Sequence, residues 1–239
     1  MFTTIDEIAP DIFRLSTYVP AVGPTGLSFN QFLIRDEQPF LFHTGMRQLY
    51  PLVSEAVSKI IDIADLRWIS FGHVEADECG AMNLFLADAP SAEVIHGGVA
   101  CMVSLNDLAD RPPRVAGDEP LVIGRHSLRF IATPHVPHGW ESGVWFDETT
   151  RTLFAGDLFT HGGDVPALVD DDIVAPALVS EEVFHSTSFS PNLVPTLEQL
   201  ALLEPTTLAT MHGSSYRGNG ATQLRALAAG YSAVRAEAA

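Results

Sequence analysis

The stretch "HVEADE", residues 73–78, places one imidazole and three carboxylates within six positions. In an extended chain, His73, Glu75 and Asp77 would point to the same side, because side-chain direction alternates with a period of two. Imidazole and carboxylate ligands together suit iron, manganese or zinc. Asp77 and Glu78 could instead open a helix, where the helix dipole stabilises acidic groups. That alternative leaves His73 and Glu75 unexplained, so the spacing favours a metal site.

Further ligand types occur where hydrophobic runs end. His135 and His138 lie in "TPHVPHGWESG", Asp157 follows "LFAG", and His212 follows "LATM". Either Asp157 or His212 alone would be unremarkable, as a helix cap or a loop histidine. Together with the first cluster they make four such positions in one chain, and this repetition predicts that the groups share one site.

The charge of such a site indicates how many cations it would hold. Four carboxylates would come together, and without a cation they would repel one another. Two divalent ions would neutralise these charges, and the carboxylate of Asp157 could bridge both. The composition therefore favours a dinuclear site over a mononuclear one. The four carboxylates are those of Glu75, Asp77, Glu78 and Asp157.

Apolar runs typical of strands precede these polar groups, and segments with helical spacing separate them. The pattern predicts one α+β domain, residues 1–239, with two sheets in the middle and helices outside. Residues 158–191 show no period and are expected to be irregular. Within them, residues 161–176 are expected to form a long loop, in which the acidic residues 170–172 are solvated. The runs are "LRWISFG", "HSLRFIATP", "GVWFDE", "RTLFAGD" and "TTLATMHG", and the helical segments are 46–63, 77–90 and 221–238.

Overall composition excludes some partners. The 239 residues carry a formal net charge of −17, which disfavours nucleic acid and anionic membranes because both are negatively charged. No apolar run reaches the roughly 18 residues of a membrane-spanning helix, and the first residues do not resemble a signal peptide. Cys79 and Cys101 do not indicate a disulfide framework. These features predict a cytoplasmic protein.

The order and spacing of the polar groups resemble the metallo-β-lactamase fold, an αββα four-layer sandwich. Hydrolases of that superfamily carry H-x-H-x-D-H, whereas Glu75 here occupies the place of the second histidine. This replacement resembles the di-iron domain of flavodiiron proteins, the oxygen-binding di-iron family. The intervals are similar too: 65 residues from His73 to His138, 19 to Asp157 and 55 to His212. The 19-residue interval favours His138 over His135 as the ligand.

The resemblance implies two irons, with zinc or manganese as alternatives. One ion would be bound by His73, Glu75 and His138, the other by Asp77 and His212, and Asp157 would bridge them.

Two positions depart from the superfamily pattern. Glu78 stands where a histidine is usual and could bind metal, accept a proton or face solvent. His43 stands where the early strand usually ends in Asp-Thr-Gly. We take Glu78 and His43 as candidates for proton transfer, with a supporting or structural role as the alternative for His43. His161 is a candidate for a supporting contact near Asp157.

Two functions follow from the resemblance. A di-iron site would bind or reduce O2 or NO, as a sensor or as an oxidoreductase supplied by a separate electron-donor protein, because we find no flavodoxin-like domain or glycine-rich flavin loop in the sequence. The alternative is a dinuclear hydrolase of a small ester, lactone or thioester, in which metal-bound hydroxide attacks the substrate. Pairing as a homodimer is implied by the resemblance alone.

Overall fold

Two seven-stranded β-sheets pack face to face in the computed structural model, which describes residues 1–237. The first sheet has its strands in chain order, from the antiparallel β1–β2–β3–β4 to the parallel β4–β5–β6–β7. Its strands are β1 (Thr3–Ala9), β2 (Ile12–Val19), β3 (Leu27–Ile34), β4 (Phe40–Phe42), β5 (Trp68–Ser70), β6 (Glu93–His96) and β7 (Arg114–Val115).

The second sheet has the order β12-β14-β13-β11-β10-β9-β8. Strands β8 to β11 pair antiparallel in succession, whereas β11 and β13 run parallel. Its strands are β8 (Leu121–Val122), β9 (Ser127–Ala132), β10 (Gly143–Asp147), β11 (Thr152–Gly156), β12 (Leu168–Val169), β13 (Thr207–Thr210) and β14 (Ser215–Arg217).

Helices cover the outer face of each sheet. Helices α1 and α3 share a core with the first sheet, and α6, α7 and α8 share another with the second. The helices are α1 (Tyr50–Ser58), α2 (Ala76–Cys79), α3 (Met82–Asp88), α4 (Gly98–Ala100), α5 (Asn106–Leu108), α6 (Val174–Phe184), α7 (Leu193–Ala201) and α8 (Gly220–Glu237). Among residues 1–237, no helix has the length and apolar character needed to cross a bilayer.

The alternation of side chains along the strands explains the layers. In β3, Phe29 and Leu33 face the helices, whereas Phe32 faces the second sheet. In the second sheet, Trp145 and Phe154 face inward, and their neighbours in sequence pack under the helices. A strand that is buried on both faces therefore contributes side chains to two cores, one between the sheets and one under the helices. The predicted α+β fold with four layers is confirmed.

Some predicted elements were wrong. The segment 158–191, which was expected to be irregular, contains β12 and the eleven-residue helix α6, and the supposed loop 161–176 holds β12 and the start of α6. This helix buries Val174 and Ala177 but exposes Val179 and Val183, so its apolar residues form no single stripe and its period was not visible. The predicted helix 77–90 is two helices, α2 and α3, interrupted at residues 80–81.

Candidate metal centre

The polar groups meet at one edge of the two sheets. Strand β5 leads into residues 72–78, and β11 and β13 end just before Asp157 and His212. Because β11 and β13 are parallel neighbours, their carboxyl ends lie side by side, as ligand sites in parallel sheets commonly do. The connection from β9 to β10 carries His138. The two sheets are joined at this edge by hydrogen bonds such as Gly143 N–H to Gly72 O, 2.8 Å.

A first group of side chains, which we call the four-residue group, consists of His73, Glu75, His138 and Asp157. One ligand atom from each lies within 4.8 Å of the others. Glu75 Oε2 is 2.7 Å from His73 Nε2 and 3.3 Å from His138 Nε2. Asp157 Oδ2 is 3.4 Å from His138 Nε2 and 3.9 Å from His73 Nε2.

A second group, the three-residue group, consists of Asp77, His212 and again Asp157. His212 Nε2 lies 3.3 Å from Asp77 Oδ2 and 3.4 Å from Asp157 Oδ1. The two oxygens of Asp157 therefore face different groups, Oδ2 the first and Oδ1 the second. This is the arrangement that a bridging carboxylate would require.

The route by which the chain brings these groups together differs from our expectation. Residues 72–74 form a bend rather than a strand, and α2 begins at Ala76. Asp77 is therefore on a helix and faces His212, instead of converging with His73 and Glu75. The prediction that these three side chains point to one place through strand alternation was wrong.

Backbone carbonyls and carboxylates orient the imidazole rings. The Nδ1–H of His212 donates to Ser28 O at 2.8 Å, which leaves Nε2 to face the carboxylates. His73 has its Nδ1 3.3 Å from Glu78 Oε1 and its Nε2 toward Glu75. Ser28 belongs to β3 of the first sheet, and no motif in the sequence marked it as a partner of His212.

Nearby carboxylates raise the pKa of the three imidazoles of the two groups. Burial alone would lower the pKa of His73, but nearby carboxylates, led by Glu78 and then Glu75, raise it to about 12. The hydrogen bond with Glu75 raises the pKa of His138. Burial would likewise lower the pKa of His212, and the carboxylates of the three-residue group raise it instead. Positive charge is thus favoured at this place, and a metal ion would have to displace these protons.

The carboxylates respond in opposite directions. His138, and after it His73, hold the pKa of Glu75 well below its usual range. Burial raises the pKa of Asp157, although His212 acts against it. Burial thus disfavours the charged form of Asp157, and a nearby cation would offset this effect.

Glu78 and His43 lie behind the four-residue group. Glu78 is fully buried, so the possibility that it faces solvent was wrong. Its carboxylate is on the Nδ1 side of His73, with Oε1 3.4 Å from His43 Nε2. Burial would raise the pKa of Glu78, but the charges of His73 and His43 lower it well below its usual range. Neither residue is in contact with the cavity described below.

Two other histidines fall outside both groups. His161 is buried, donates from Nδ1 to Phe159 O at 2.8 Å and accepts at Nε2 from Ser214 N–H at 2.9 Å. It therefore supports the backbone two residues after His212. His135 is exposed and, unlike His138, is not part of the four-residue group.

An open cavity of about 450 Å³ gives access to the two groups. Leu27 and Phe184 line it with apolar surface, and Thr160 and Ser186 add hydroxyl groups. No motif in the sequence marked these four residues, and Phe184 and Ser186 come from the segment expected to be irregular. A small molecule could reach the carboxylates and imidazoles through this opening.

The donor set fits two metal ions. Two ligands bound at about 2.1 Å to one ion are about 3.0 to 3.4 Å apart in octahedral or tetrahedral geometry, and most separations above lie near this range. Asp77 Oδ1 and Asp157 Oδ1 are buried, and neither has a hydrogen-bond partner within the described part of the chain. Unpartnered buried carboxylate oxygens are costly unless a cation compensates them.

Comparison with known proteins identifies the same region. A protein-family model described as "ODP family beta lactamase" matches residues 27–213. A Thermosynechococcus vestitus protein described as "Putative diflavin flavoprotein A 1" is 28% identical over 202 residues, 80% of this chain and 34% of that protein. A Salmonella arizonae protein described as "Anaerobic nitric oxide reductase flavorubredoxin" is 26% identical over 205 residues, 81% of this chain and 42% of that protein. The chain thus spans about a third of the length of the first of these relatives.

Solved structures share the fold. Rubredoxin oxygen:oxidoreductase from Desulfovibrio gigas superposes with a TM-score of 0.82 at 18% identity, over 95% of this chain and 60% of that one. The flavodiiron protein from Giardia intestinalis superposes with a TM-score of 0.84 at 16% identity, over 97% of this chain and 60% of that one. The predicted resemblance to the metallo-β-lactamase-type core of flavodiiron proteins is confirmed.

Proposed function

The chain belongs to the ODP family of β-lactamase-type domains, and on this premise we propose that it is a dinuclear-metal protein that binds or reduces O2 or NO. We propose iron at both positions. The four-residue group would bind one ion and the three-residue group the other. Relatives described as a nitric oxide reductase and an oxygen:oxidoreductase support redox chemistry over the hydrolytic alternative.

The observation that carries the proposal is the placement of Asp157. Its Oδ2 faces His138 at 3.4 Å and its Oδ1 faces His212 at 3.4 Å, so one carboxylate serves two sets of ligands. A mononuclear site would leave Asp77 and His212 without a role.

Ligand chemistry supports iron. The two groups together offer three carboxylates and three imidazoles, a harder set than the histidine-rich set typical of zinc hydrolases. Bound iron would supply the site at which O2 or NO binds and would pass on the electrons that a donor delivers. Leu27 and Phe184 would give the approach to the site apolar walls, and a diatomic ligand would enter through the cavity of about 450 Å³.

Electron supply separates the two forms of the proposal. Binding alone, as in a sensor, needs no electron donor, whereas reduction of O2 or NO consumes electrons. We propose that a separate donor protein would supply them if the protein reduces its ligand. Pairing of two chains as a homodimer remains part of this proposal.

The test is metal content together with ligand binding. Protein prepared anaerobically with iron should contain about two irons per chain, because seven donor positions divide into two groups. Adding NO to the reduced protein should produce a saturable change in its absorption spectrum. Repeated turnover of O2 or NO should require an added electron donor. These measurements use elemental analysis, anaerobic titration and an oxygen or NO electrode.

His138→Gln and His135→Gln form a matched pair for this test. Both remove an imidazole from the same connection between β9 and β10, but only His138 lies in the four-residue group. We expect His138→Gln to lose iron and the NO-dependent spectrum, and His135→Gln to keep both. Two zincs in the wild-type protein, with a spectrum that ignores O2 and NO, would reject the redox proposal.

A further inference from the structure

Behind the four-residue group lies a fully buried carboxylate, that of Glu78. Its Oε2 accepts hydrogen bonds from the backbone N–H groups of Gly72 at 2.6 Å and His73 at 2.7 Å. Its Oε1 lies 3.3 Å from His73 Nδ1 and 3.4 Å from His43 Nε2. This oxygen is buried and forms no hydrogen bond within residues 1–237, and the two ring nitrogens are its ion-pair contacts.

We propose that Glu78 is a positioning residue for metal binding and is itself no ligand. It holds a proton on Nδ1 of His73 and thereby leaves Nε2 of that ring free for the metal, while His43 holds Glu78 from the other side. This inference rests on the metal centre proposed above. A carboxylate that accepts from the far nitrogen of a ligating imidazole fixes the ring's tautomer and orientation.

The geometry argues against metal ligation by Glu78. The two nitrogens of an imidazole point in different directions, and Glu78 is on the Nδ1 side of His73, whereas Glu75 is on the Nε2 side. Glu78 would have to abandon two backbone N–H groups to reach the same ion. The backbone also closes around it, because a Cβ added to Gly72 would lie 3.1 Å from both carboxylate oxygens.

His43 is held in place to face Glu78. Its Nδ1 is 3.2 Å from the carbonyl oxygen of Asn30. The following residue, Thr44, donates its backbone N–H to Glu78 O at 2.6 Å. The two residues after β4 therefore contact Glu78, Thr44 at its backbone and His43 at its side chain. His43 and Glu78 are also the two positions at which the sequence departs from the pattern it resembles, and the structure brings both departures into one contact.

The experiment measures zinc affinity by competition with a chromophoric chelator, so that activity is not needed. Glu78→Gln keeps the shape of the side chain but has one acceptor oxygen where the carboxylate has two. We expect one of the two zinc ions to bind about 10- to 100-fold more weakly, as for other outer partners of metal ligands. The matched control is Asp147→Asn, which breaks another buried carboxylate–imidazole contact, 2.8 Å from His126, away from both groups. It should bind zinc like the wild type.

The outcomes separate this inference from the proposed function. A wild-type protein that binds no metal would overturn the metal centre itself. Two zincs in the wild type, with equal affinities in Glu78→Gln and Asp147→Asn, would overturn the role of Glu78 alone.

A wild-type measurement guards against a variant that fails to fold. Long-range ¹H–¹⁵N spectra of zinc-loaded protein should show His73 protonated at Nδ1 and bound through Nε2, with the ring identified by its loss in His73→Gln. Zinc bound through Nδ1 of His73 would refute the inference, because that nitrogen would then carry no hydrogen to donate to Glu78.

Discussion

Replacing Asp157 by asparagine should weaken both metal positions at once. The change keeps the size of the side chain and removes the charge that faces both groups. Structural zinc sites bind with about 10–16 kcal/mol shared among four ligands, or about 3 kcal/mol for each. Loss of one ligand therefore corresponds to about a 100-fold weaker Kd at each position. The three-residue group would keep only Asp77 and His212 and should lose its ion first.

The comparison variant is His212→Gln, which touches one group only. In the wild type, His212 Nε2 contacts Asp77 and the Oδ1 of Asp157. We expect this variant to retain about one ion per chain, whereas Asp157→Asn should retain fewer than one at the same free metal concentration. Elemental analysis after dialysis against a metal buffer gives both numbers.

A control for nonspecific damage is Asp36→Asn. The side chain of Asp36 is almost fully covered. It accepts hydrogen bonds from the backbone of Arg125 and His126, and it is outside both groups. This variant should bind two ions. Because burial raises the pKa of Asp157, its neutral replacement should leave the metal-free fold intact. Normal metal content in folded Asp157→Asn would refute a bridging role, and loss of both ions in His212→Gln would refute the division into two groups.

Two further predictions concern the fold. Burial lowers the pKa of His96 to about 4 from its usual 6.5, so the unfolded chain takes up the proton first, and stability is lost as the pH falls from 6.5 toward 4, by about 3 kcal/mol. His96→Asn should lose less stability between pH 7 and 4.5 in urea denaturation, and an unchanged pH dependence would contradict this. Phe154 is fully buried between the sheets, 5.5 Å from the ring of Phe42. Phe154→Ala should cost about 3–5 kcal/mol, and a loss below about 1 kcal/mol in the same assay would contradict the packing.

Local patterns were sufficient for much of the fold. The runs that end before Asp157 and His212 are strands because β-branched and aromatic residues fit a pleated, half-buried surface. The C-terminal helix follows from its apolar spacing, and Leu224, Leu227 and Tyr231 are indeed buried. Helix α6 was not predicted because its apolar residues lie on several sides of the helix, and hydrophobic period is the main signal for a helix in a single sequence.

Some features of the candidate metal centre could also be predicted from the sequence, and others could not. Its residue types, and their positions where strands end, could be read from the sequence, because a polar group after an apolar run is a local feature. The sequence could not show which of these side chains face one another. Asp77 turns to His212 because α2 begins at Ala76, and Asp157 meets His212 because β11 and β13 pair in parallel across 55 residues of chain.

Glu78 shows the limit most clearly. Its sequence position is compatible with metal ligation, proton transfer or exposure to solvent, and local spacing cannot distinguish these. The tertiary structure places its carboxylate beneath Gly72 and beside His43, which directly follows β4 and lies 35 residues earlier in the chain. The chain alone determined which chemical groups are available and where its strands end. Only the packing of β4 against β5 and α2 decided which nitrogen of His73 meets Glu78, because contacts between distant segments depend on the whole fold and leave no local period in the sequence.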